Sequence, residues 1–307
     1  MIKFYKTIDG KITQLDSFEQ GCWVNAVCPN EDEVNYLINE LGLVSEFVRS
    51  SLDEEETSRI DTEEEQNLIM IDVPVYQSTD NVVSYFTIPI GIIFAEKNLI
   101  TICLKENTVL KDFAEGLVKN VDTAFRTQFV LYIMLRSAMR FHQYLKQIEK
   151  VSSFIERQLH LSTKNKELIQ LLDLQKSLVY FSTSLKADEI TMQKIFRGRV
   201  IKLYEEDQDL LDDVLIETKQ AIEMTEIYQS ILTGTSDAFA SIISNNLNIV
   251  MKVLTSITII MAIPTMISSF YGMNVNGIPF SSFYFPLSLS LVFSFVAFII
   301  LKRKKLL

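Results

Sequence analysis

The sequence predicts an α+β/α membrane protein with a cytoplasmic α/β domain, a long helical stalk and two C-terminal transmembrane helices. Two uncharged apolar runs, Val253–Phe270 and Phe283–Leu301, are each long enough to approach the thickness of a bilayer. No proline occurs between Leu117 and Ile263, which favours long helices there. Residues 1–116 hold three prolines and several β-like runs, which favours a mixed domain.

The first 116 residues are the predicted cytoplasmic α/β domain. Runs rich in β-branched and aromatic residues predict strands, and two stretches with acidic residues near their start predict short helices. The predicted strands are Trp23–Cys28, Leu68–Val75, Val82–Ile88, Ile90–Ala95 and Leu99–Leu104, and the predicted helices are Glu31–Leu41 and Leu43–Ser51.

Residues 117–248 are the predicted stalk, in which apolar residues recur at helical spacing. This spacing predicts helices over 122–160, 164–185 and 188–232. No helix breaker separates Ser236 from Ile263, so the last helix is expected to continue through Gly234 into the membrane.

The tail is predicted to be a membrane hairpin: helix 249–270, an outer loop 271–282, helix 283–301 and a basic tail 302–307. A pair of buried core helices is the alternative, but a core helix of this length normally carries charge on one face. The Lys302–Lys305 cluster is expected to stay inside, which places both termini in the cytoplasm and the protein in the cell membrane as a multi-pass chain.

Charge and motifs exclude several function classes. The net charge of −10 argues against a nucleic-acid partner, and every Asp and Glu lies within the first 237 residues. The sequence has no phosphate-binding glycine loop, no His-Glu-x-x-His zinc motif and no nucleophile elbow. Only two histidines are present, so acid–base or metal catalysis is not expected and the chain is not predicted to be an enzyme.

A line of polar residues follows one face of the first predicted transmembrane helix. Its members are spaced alternately three and four apart, and five of the seven are polar. We call them the polar stripe: Asn248, Met251, Thr255, Thr258, Ala262, Thr265 and Ser269. A pore wall and a helix–helix seam both explain such a line, and periodicity does not separate them. Two helices cannot enclose a pore alone, so a pore requires a ring of subunits.

Just beyond the stripe stand Tyr271-Gly272-Met273-Asn274, and here the chain resembles the CorA family of divalent-cation transporters. The Gly-Met-Asn tripeptide stands at the end of the first of two C-terminal helices, as in that family. The approach Val250–Thr255 and the basic end Lys302–Lys305 are also similar to the family pattern, as are Trp23, Pro29, Glu31 and Leu52-Asp53, less specifically.

The resemblance implies a homopentameric funnel in the bilayer that carries Mg²⁺, with Co²⁺ or Ni²⁺ as further cargo, inward along the membrane potential. Gly272, Met273 and Asn274 would form the selectivity filter, Asn248 the inner amide ring, and Met251 and Leu254 a hydrophobic narrowing. Cytoplasmic Mg²⁺ would also be regulatory, bridging carboxylates between subunits to close the pore. The resemblance places that role on Asp213, with Asp209, Asp212 and Glu217 nearby; a solvated acidic helix face is the alternative.

Two departures from the family pattern and two rival functions remain open. Ala262 stands where many relatives carry a bulkier Met, so Met251 and Leu254, or Met261 in a shifted register, would supply the narrowing. The outer loop also lacks acidic residues common in relatives. A zinc transporter of the same fold and a membrane-anchored sensor or scaffold without conduction are the rivals.

Overall fold

The computed structural model describes residues 1–79, 82–95, 98–161, 165–197, 204–273, 282–304 and 306. The chain divides into two compact units, Met1–Thr235 and Ser236–Leu307. The first unit contains a mixed sheet with helices on both faces, and the second contains two apolar helical segments.

The sheet of the first unit has seven strands in the order β2-β1-β3-β7-β6-β5-β4. Strands β3 and β7 pair in parallel, and the other neighbours are antiparallel. The strands are β1 (Ile2–Ile8), β2 (Lys11–Leu15), β3 (Trp23–Val27), β4 (Ile60–Glu63), β5 (Gln66–Thr79), β6 (Val82–Ala95) and β7 (Asn98–Cys103).

Seven helices cover the sheet or follow it in the described part of the chain. Two of the short ones begin at asparagine caps: Asn30 forms a capping box with Glu33, and Asn107 accepts from the backbone of Leu110 at 2.8 Å. The helices are α1 (Glu31–Asn39), α2 (Ser45–Ser50), α3 (Thr108–Ala114), α4 (Arg126–Leu161), α5 (Asn165–Phe196), α6 (Glu205–Tyr271) and α7 (Tyr284–Arg303).

Alternation along the central strands divides the buried side chains between two cores. Leu68 and Met70 of β5 point into a core closed by α1 and α2. Ile69 and Ile71 point into a larger core that contains residues of α3, α4, α5 and the beginning of α6. The predicted α/β domain is therefore confirmed as a fold, and the first part of α6 belongs to its packing.

Proline did not interrupt β6, so the expected division into Val82–Ile88 and Ile90–Ala95 was wrong. Pro89 pairs opposite Asp72 in the long β5–β6 hairpin. The N–H of Asp72 points out of the hairpin, because it donates to a side chain of α5. The nitrogen of Pro89 faces outward in the same way, and β7 pairs with β6 only from Ile90 onward. The missing N–H of proline therefore removes no ladder hydrogen bond.

The boundary between the second and third long helices was also predicted wrongly. Helix α5 does not end at residue 185 but continues to Phe196. Lys186 and Ala187 are good helix formers, and the next carboxylate, Asp188, is buried instead of capping a new helix. The expected continuation of the last helix into the membrane segment is confirmed, since α6 runs without a break through Gly234 to Tyr271.

The hairpin of β1 and β2 was not predicted, although the sequence contains its turn. Asp9 and Gly10 adopt positive φ of 49° and 74° between the two strands. An Asp-Gly pair is the preferred sequence for a tight hairpin turn, because both central residues need that conformation. Helix α3 was missed as well, and α4 begins at Arg126 instead of residue 122.

Gly91 allows α2 to approach the sheet closely. A Cβ at this position of β6 would overlap the side chain of Ser51, which directly follows α2. Ser51 is completely buried, and its hydroxyl donates to the carbonyl of Phe47 at 2.6 Å. The serine is held in place by that bond, so it has little freedom to yield.

We expect Gly91→Ala to destabilise the first unit by about 3 kcal/mol through overpacking. Gly234→Ala is the matched control, because nothing lies within 4 Å of that position on α6 and alanine is the better helix former. Thermal unfolding of the full chain, followed by the fluorescence of its single tryptophan, Trp23, measures both variants. Equal melting temperatures for the two would contradict the close approach of Ser51.

Candidate functional site

The second unit contains two helical segments long and apolar enough to cross a membrane. They are the end of α6 and all of α7, and only 6% of the most apolar window of each is buried. Core helices of a soluble domain would be largely covered. The exposed isoleucines, leucines and phenylalanines here need another apolar environment, which a bilayer supplies.

One face of α6 packs toward α7. Ser256 is buried and donates its hydroxyl to the carbonyl of Leu306, beyond the end of α7, at 3.0 Å. At the other end, the rings of Tyr271 and Phe285 lie 6.1 Å apart. Pro264 and Leu289 are half-buried between these contacts, as are most of the residues that we call the hairpin seam: Ser256, Ile260, Ile263 and Ile267 on α6, with Ser290, Ser294, Ala297 and Leu301 on α7. Ser290, Ser294 and Ala297 of this set are small, as is common where membrane helices pack against each other.

The polar stripe lies on a different face from the hairpin seam. At 100° per residue, the stripe is centred about 140° around α6 from the seam residues. All seven stripe residues are exposed in the single chain. The polar stripe is therefore not the seam between the two helices of one chain, which narrows the alternatives to a pore wall or a contact with another subunit.

The threonine hydroxyls of the stripe present oxygen lone pairs to the outside. Thr255 donates to the carbonyl of Met251 at 2.8 Å, and Thr258 donates to the carbonyl of Leu254 at 2.9 Å. Thr265 does the same to Met261 at 3.2 Å. Each hydroxyl uses its hydrogen on its own helix, so its oxygen remains an acceptor. Acceptors are what the water shell of a cation requires.

The residues expected to narrow the pore are exposed on α6. Met251 and Leu254 are 51% and 56% exposed, and Ala262 is exposed at its stripe position. Met261 is 70% exposed but lies off the stripe, one residue and about 100° from Ala262. Leu254 is likewise one residue from a stripe member, and it lies seven residues before Met261 on nearly the same line of α6. Of the three apolar candidates, Met251 alone belongs to the stripe, and the geometry of one chain does not choose between Leu254 and Met261.

Gly272 and Met273 end α6 at the top of the stripe. The N–H of Gly272 donates to the carbonyl of Ser268 at 2.9 Å, and a Cβ on Gly272 would lie 3.2 Å from that oxygen. Met273 follows as an exposed bend residue. The expected filter residue Asn274 lies outside the described residues. Helix C-termini carry partial negative charge, so this end of α6 favours cations.

The four carboxylates suggested for regulation divide into two groups on α6. Asp209, Asp212 and Asp213 are exposed, and within the described part of the chain none has a hydrogen bond or ion pair. Glu217 instead lies 3.1 Å from Nε2 of His142 on α4, and the same nitrogen is 3.0 Å from the Glu217 carbonyl. No group of three or more His, Cys, Asp or Glu residues is placed to hold a metal within a single chain, as far as the described ranges extend.

Comparison with known proteins identifies the family. Residues 18–303 match the family described as CorA-like Mg2+ transporter protein. The chain belongs to this family.

Similar proteins extend this CorA-like assignment over nearly the full length. The chain is 26% identical over 309 residues to the Cobalt/magnesium transport protein CorA of Methanocaldococcus jannaschii, with 96% of each chain covered. It is 27% identical over 157 residues to the protein of the same name from Thermotoga maritima, covering 50% of this chain and 44% of that one.

A solved structure confirms the CorA fold for both units. The complete structure of the CorA magnesium transporter from M. jannaschii matches with a TM-score of 0.81 and 23% identity, over 99% of this chain and 98% of that one. This CorA-like chain is accordingly a membrane protein, and its two apolar helices belong to the bilayer.

Cysteine accessibility separates the two faces of α6 in this CorA-like protein. In a Cys28→Ser background, which removes the exposed native thiol, we expect Thr258→Cys to react faster with a charged thiol reagent than Ile260→Cys. The reason is that the stripe would meet water if it lines a pore in the assembled protein, whereas the hairpin seam would not. Labelling is measured in proteoliposomes without Mg²⁺. Equal rates at both positions would show that the stripe is another buried seam.

Proposed function

We propose that this chain forms a homopentameric channel of the cell membrane that conducts Mg²⁺ into the cytoplasm, with Co²⁺ or Ni²⁺ as further cargo. The observation that carries the proposal is the exposed polar stripe of α6, whose threonine oxygens are free to accept. The names of the relatives, cobalt/magnesium transport proteins, support the identity of the cargo.

A ring of subunits gives the stripe its function. One α6 cannot enclose a water-filled path, but a cyclic assembly repeats each stripe residue as a ring of identical groups. Asn248 then contributes a ring of amides near the inner end, and Met251 and Leu254 contribute apolar rings next to it. The five-fold number is supported by the family resemblance.

Neutral oxygen ligands suit the selectivity proposed for Gly272, Met273 and Asn274. Mg²⁺ releases its water shell reluctantly, so amide oxygens and helix C-terminal carbonyls can hold the hydrated ion without stripping it. A ring of carboxylates would bind a divalent ion more tightly and slow its departure. The outer loop, residues 271–282, contains no Asp or Glu, so capture there depends on dipoles and not on net charge.

The membrane potential supplies the driving force in the proposed orientation. The Lys302–Lys305 cluster favours a cytoplasmic C-terminus, and an even number of spans then places the N-terminal body on the same side. A divalent cation that crosses about 100 mV toward the negative side gains about 4.6 kcal/mol. Inward transport therefore requires no nucleotide.

Closure by cytoplasmic Mg²⁺ is supported by the charge of the body. Residues 1–248 contain 24 basic and 39 acidic groups, a net charge of −15. Copies arranged in a ring repel one another unless counter-ions bind between them. Asp209, Asp212 and Asp213 are exposed and unpaired in the described structure, so they are available to a neighbouring subunit. Glu217 already contacts His142, which leaves it less available.

Asn274→Ala is expected to abolish most Mg²⁺ flux into proteoliposomes under an imposed inside-negative potential. The control is Asn276→Ala, which removes another amide from the same loop and is expected to conduct like the wild type. Assembly of both variants is checked by size-exclusion chromatography. Wild-type protein that carries Zn²⁺ but no Mg²⁺ would support the zinc transporter, and no cation flux at all would support the membrane anchor.

Asp213→Asn is expected to weaken inhibition by Mg²⁺ on the body side without loss of conduction. The amide keeps the shape of the side chain but removes the charge that holds a bridging ion. Asp237→Asn removes an exposed charge from the same helix at a position outside the proposed set and serves as the control. The measurement is flux as a function of body-side Mg²⁺. Identical inhibition curves for wild type and Asp213→Asn would remove Asp213 from the regulatory site.

A further inference from the structure

Two carboxyl groups are buried beside each other between the sheet and α5. Asp188 of α5 is 2% exposed and Asp72 of β5 is 9% exposed. Oδ1 of Asp188 accepts the backbone N–H of Asp72 at 2.9 Å, which links residues 116 positions apart. The charge of Asp72 is close enough to raise the pKa of Asp188. Neither belongs to the polar stripe or to the regulatory carboxylates proposed above.

The groups that surround this pair are neutral. Asp188 also accepts from the hydroxyl of Ser58 at 2.7 Å. Ser184 of α5 donates its hydroxyl to Thr87 on β6 at 2.8 Å, and its proximity partly offsets the rise that burial causes in the pKa of Asp72. These donors orient the acids but supply no positive charge, so two adjacent carboxylates would repel each other in a dry environment.

The charged side chains on the adjoining elements are engaged elsewhere. Arg59, next to Ser58 in the loop, pairs with Glu56 and Asp61. On α4, Arg136 and Arg140 both pair with Asp112. On α5, Lys186 forms an ion pair with Glu226 of α6, and Glu189 accepts a hydrogen bond from the side chain of Gln193. Within the described ranges, neither Asp72 nor Asp188 has an ion-pair partner.

We propose that Asp72 and Asp188 share a proton and form a pH-sensitive latch that holds α5 on the sheet and loosens as the cytoplasmic pH rises. The protonated acid donates to its partner, and the remaining carboxylate is the only charge left in the pair. Loss of the shared proton leaves two negative charges together, and separation of α5 from β5 relieves them. The proposal does not depend on conduction.

The direction of the pH effect follows from the ionisation of the pair. Burial raises the pKa of both acids, and the charge of Asp72 raises that of Asp188 further. The folded protein therefore binds more protons than the unfolded chain above the ordinary pKa of Asp, about 3.9. The stability contributed by the latch is complete below that pH and declines as the pH rises toward the raised value. The two protons belong to the pair and not to either residue.

The latch adjoins the helix that carries the proposed regulatory acids. One turn beyond Asp188, Met192 of α5 accepts a hydrogen bond from Thr218 of α6 at 3.4 Å. Lys186, half a turn before it, pairs with Glu226 of α6 at 2.7 Å. The position of α5 on the sheet thus affects the support of the first part of α6.

Asp188→Asn is the test, because an amide reproduces the protonated acid at every pH. Its oxygen accepts from Asp72 N–H and Ser58, and its NH₂ donates to the Asp72 carboxylate. The full-length chain is unfolded by heat in detergent with a chelator present, at several values from about pH 5 to about pH 8.5. Fluorescence of Trp23 is the readout, since this residue lies in the same core as Met192 and Ile195 of α5. Asp237→Asn, which changes an exposed acid of α6 outside the proposed regulatory set, is the matched control.

The melting temperature of Asp188→Asn is expected to equal that of the wild type near pH 5 and to exceed it by about 3 °C or more near pH 8.5. The difference in melting temperature between Asp237→Asn and the wild type should be the same at every pH. Asp72→Asn should repeat the result if Asp188→Asn folds poorly. A difference that does not change with pH would overturn the latch. So would added Mg²⁺ that raises the wild-type melting temperature near pH 8.5 but not that of Asp188→Asn, since the pair would then hold a cation.

Discussion

The backbone of α6 must satisfy its own hydrogen bonds along 67 residues, because part of the helix lies in a medium without water. The side chains of this one helix therefore lie in two different surroundings, the core of the first unit and the lipid of the membrane. Between Leu211 and Thr225, buried residues recur every three or four positions and pack in the first unit. From residue 240 onward Ser256 is the only buried residue of the helix. One secondary structure therefore carries a soluble core pattern and a lipid pattern in succession.

The serine and threonine hydroxyls of the membrane segment differ in the carbonyl to which they donate. Ser256 sends its hydroxyl across the hairpin to Leu306 and is buried. Thr255 and Thr258 return theirs to α6 and stay exposed. The first arrangement uses polarity to join two segments, and the second uses it to present oxygen acceptors on a free face. Within one chain, the partners of the hydroxyls separate the polar stripe from the hairpin seam. The role of the stripe as a pore wall stays a prediction.

Long apolar and proline-free stretches made the transmembrane segments and the continuous α6 predictable from sequence. Predictions of element boundaries from local sequence were wrong where packing against a neighbouring element determined the structure. Pro89 remains in a strand because the outward edge of β6 has no partner there, and residues 186–187 remain helical because Asp188 is drawn into the core. The position of the stripe relative to the hairpin seam could not be predicted either, because the seam residues are identified by their burial in the structure. The roles of Gly272, Met273 and Asp213 rest on the resemblance and stay predictions.

Burial separates two kinds of aspartate that look alike in the sequence. Asp213 is exposed on α6, where it keeps its charge at little cost and can attract a cation from another chain. Asp188 is enclosed with Asp72 and has only neutral donors, so the ion it can hold at the lowest cost is a proton. A divalent ion at the first kind of site and a proton at the second would respond to different properties of the cytoplasm. Both ions would change the packing around the beginning of α6, so the position of this helix would depend on the divalent-cation concentration and on the pH.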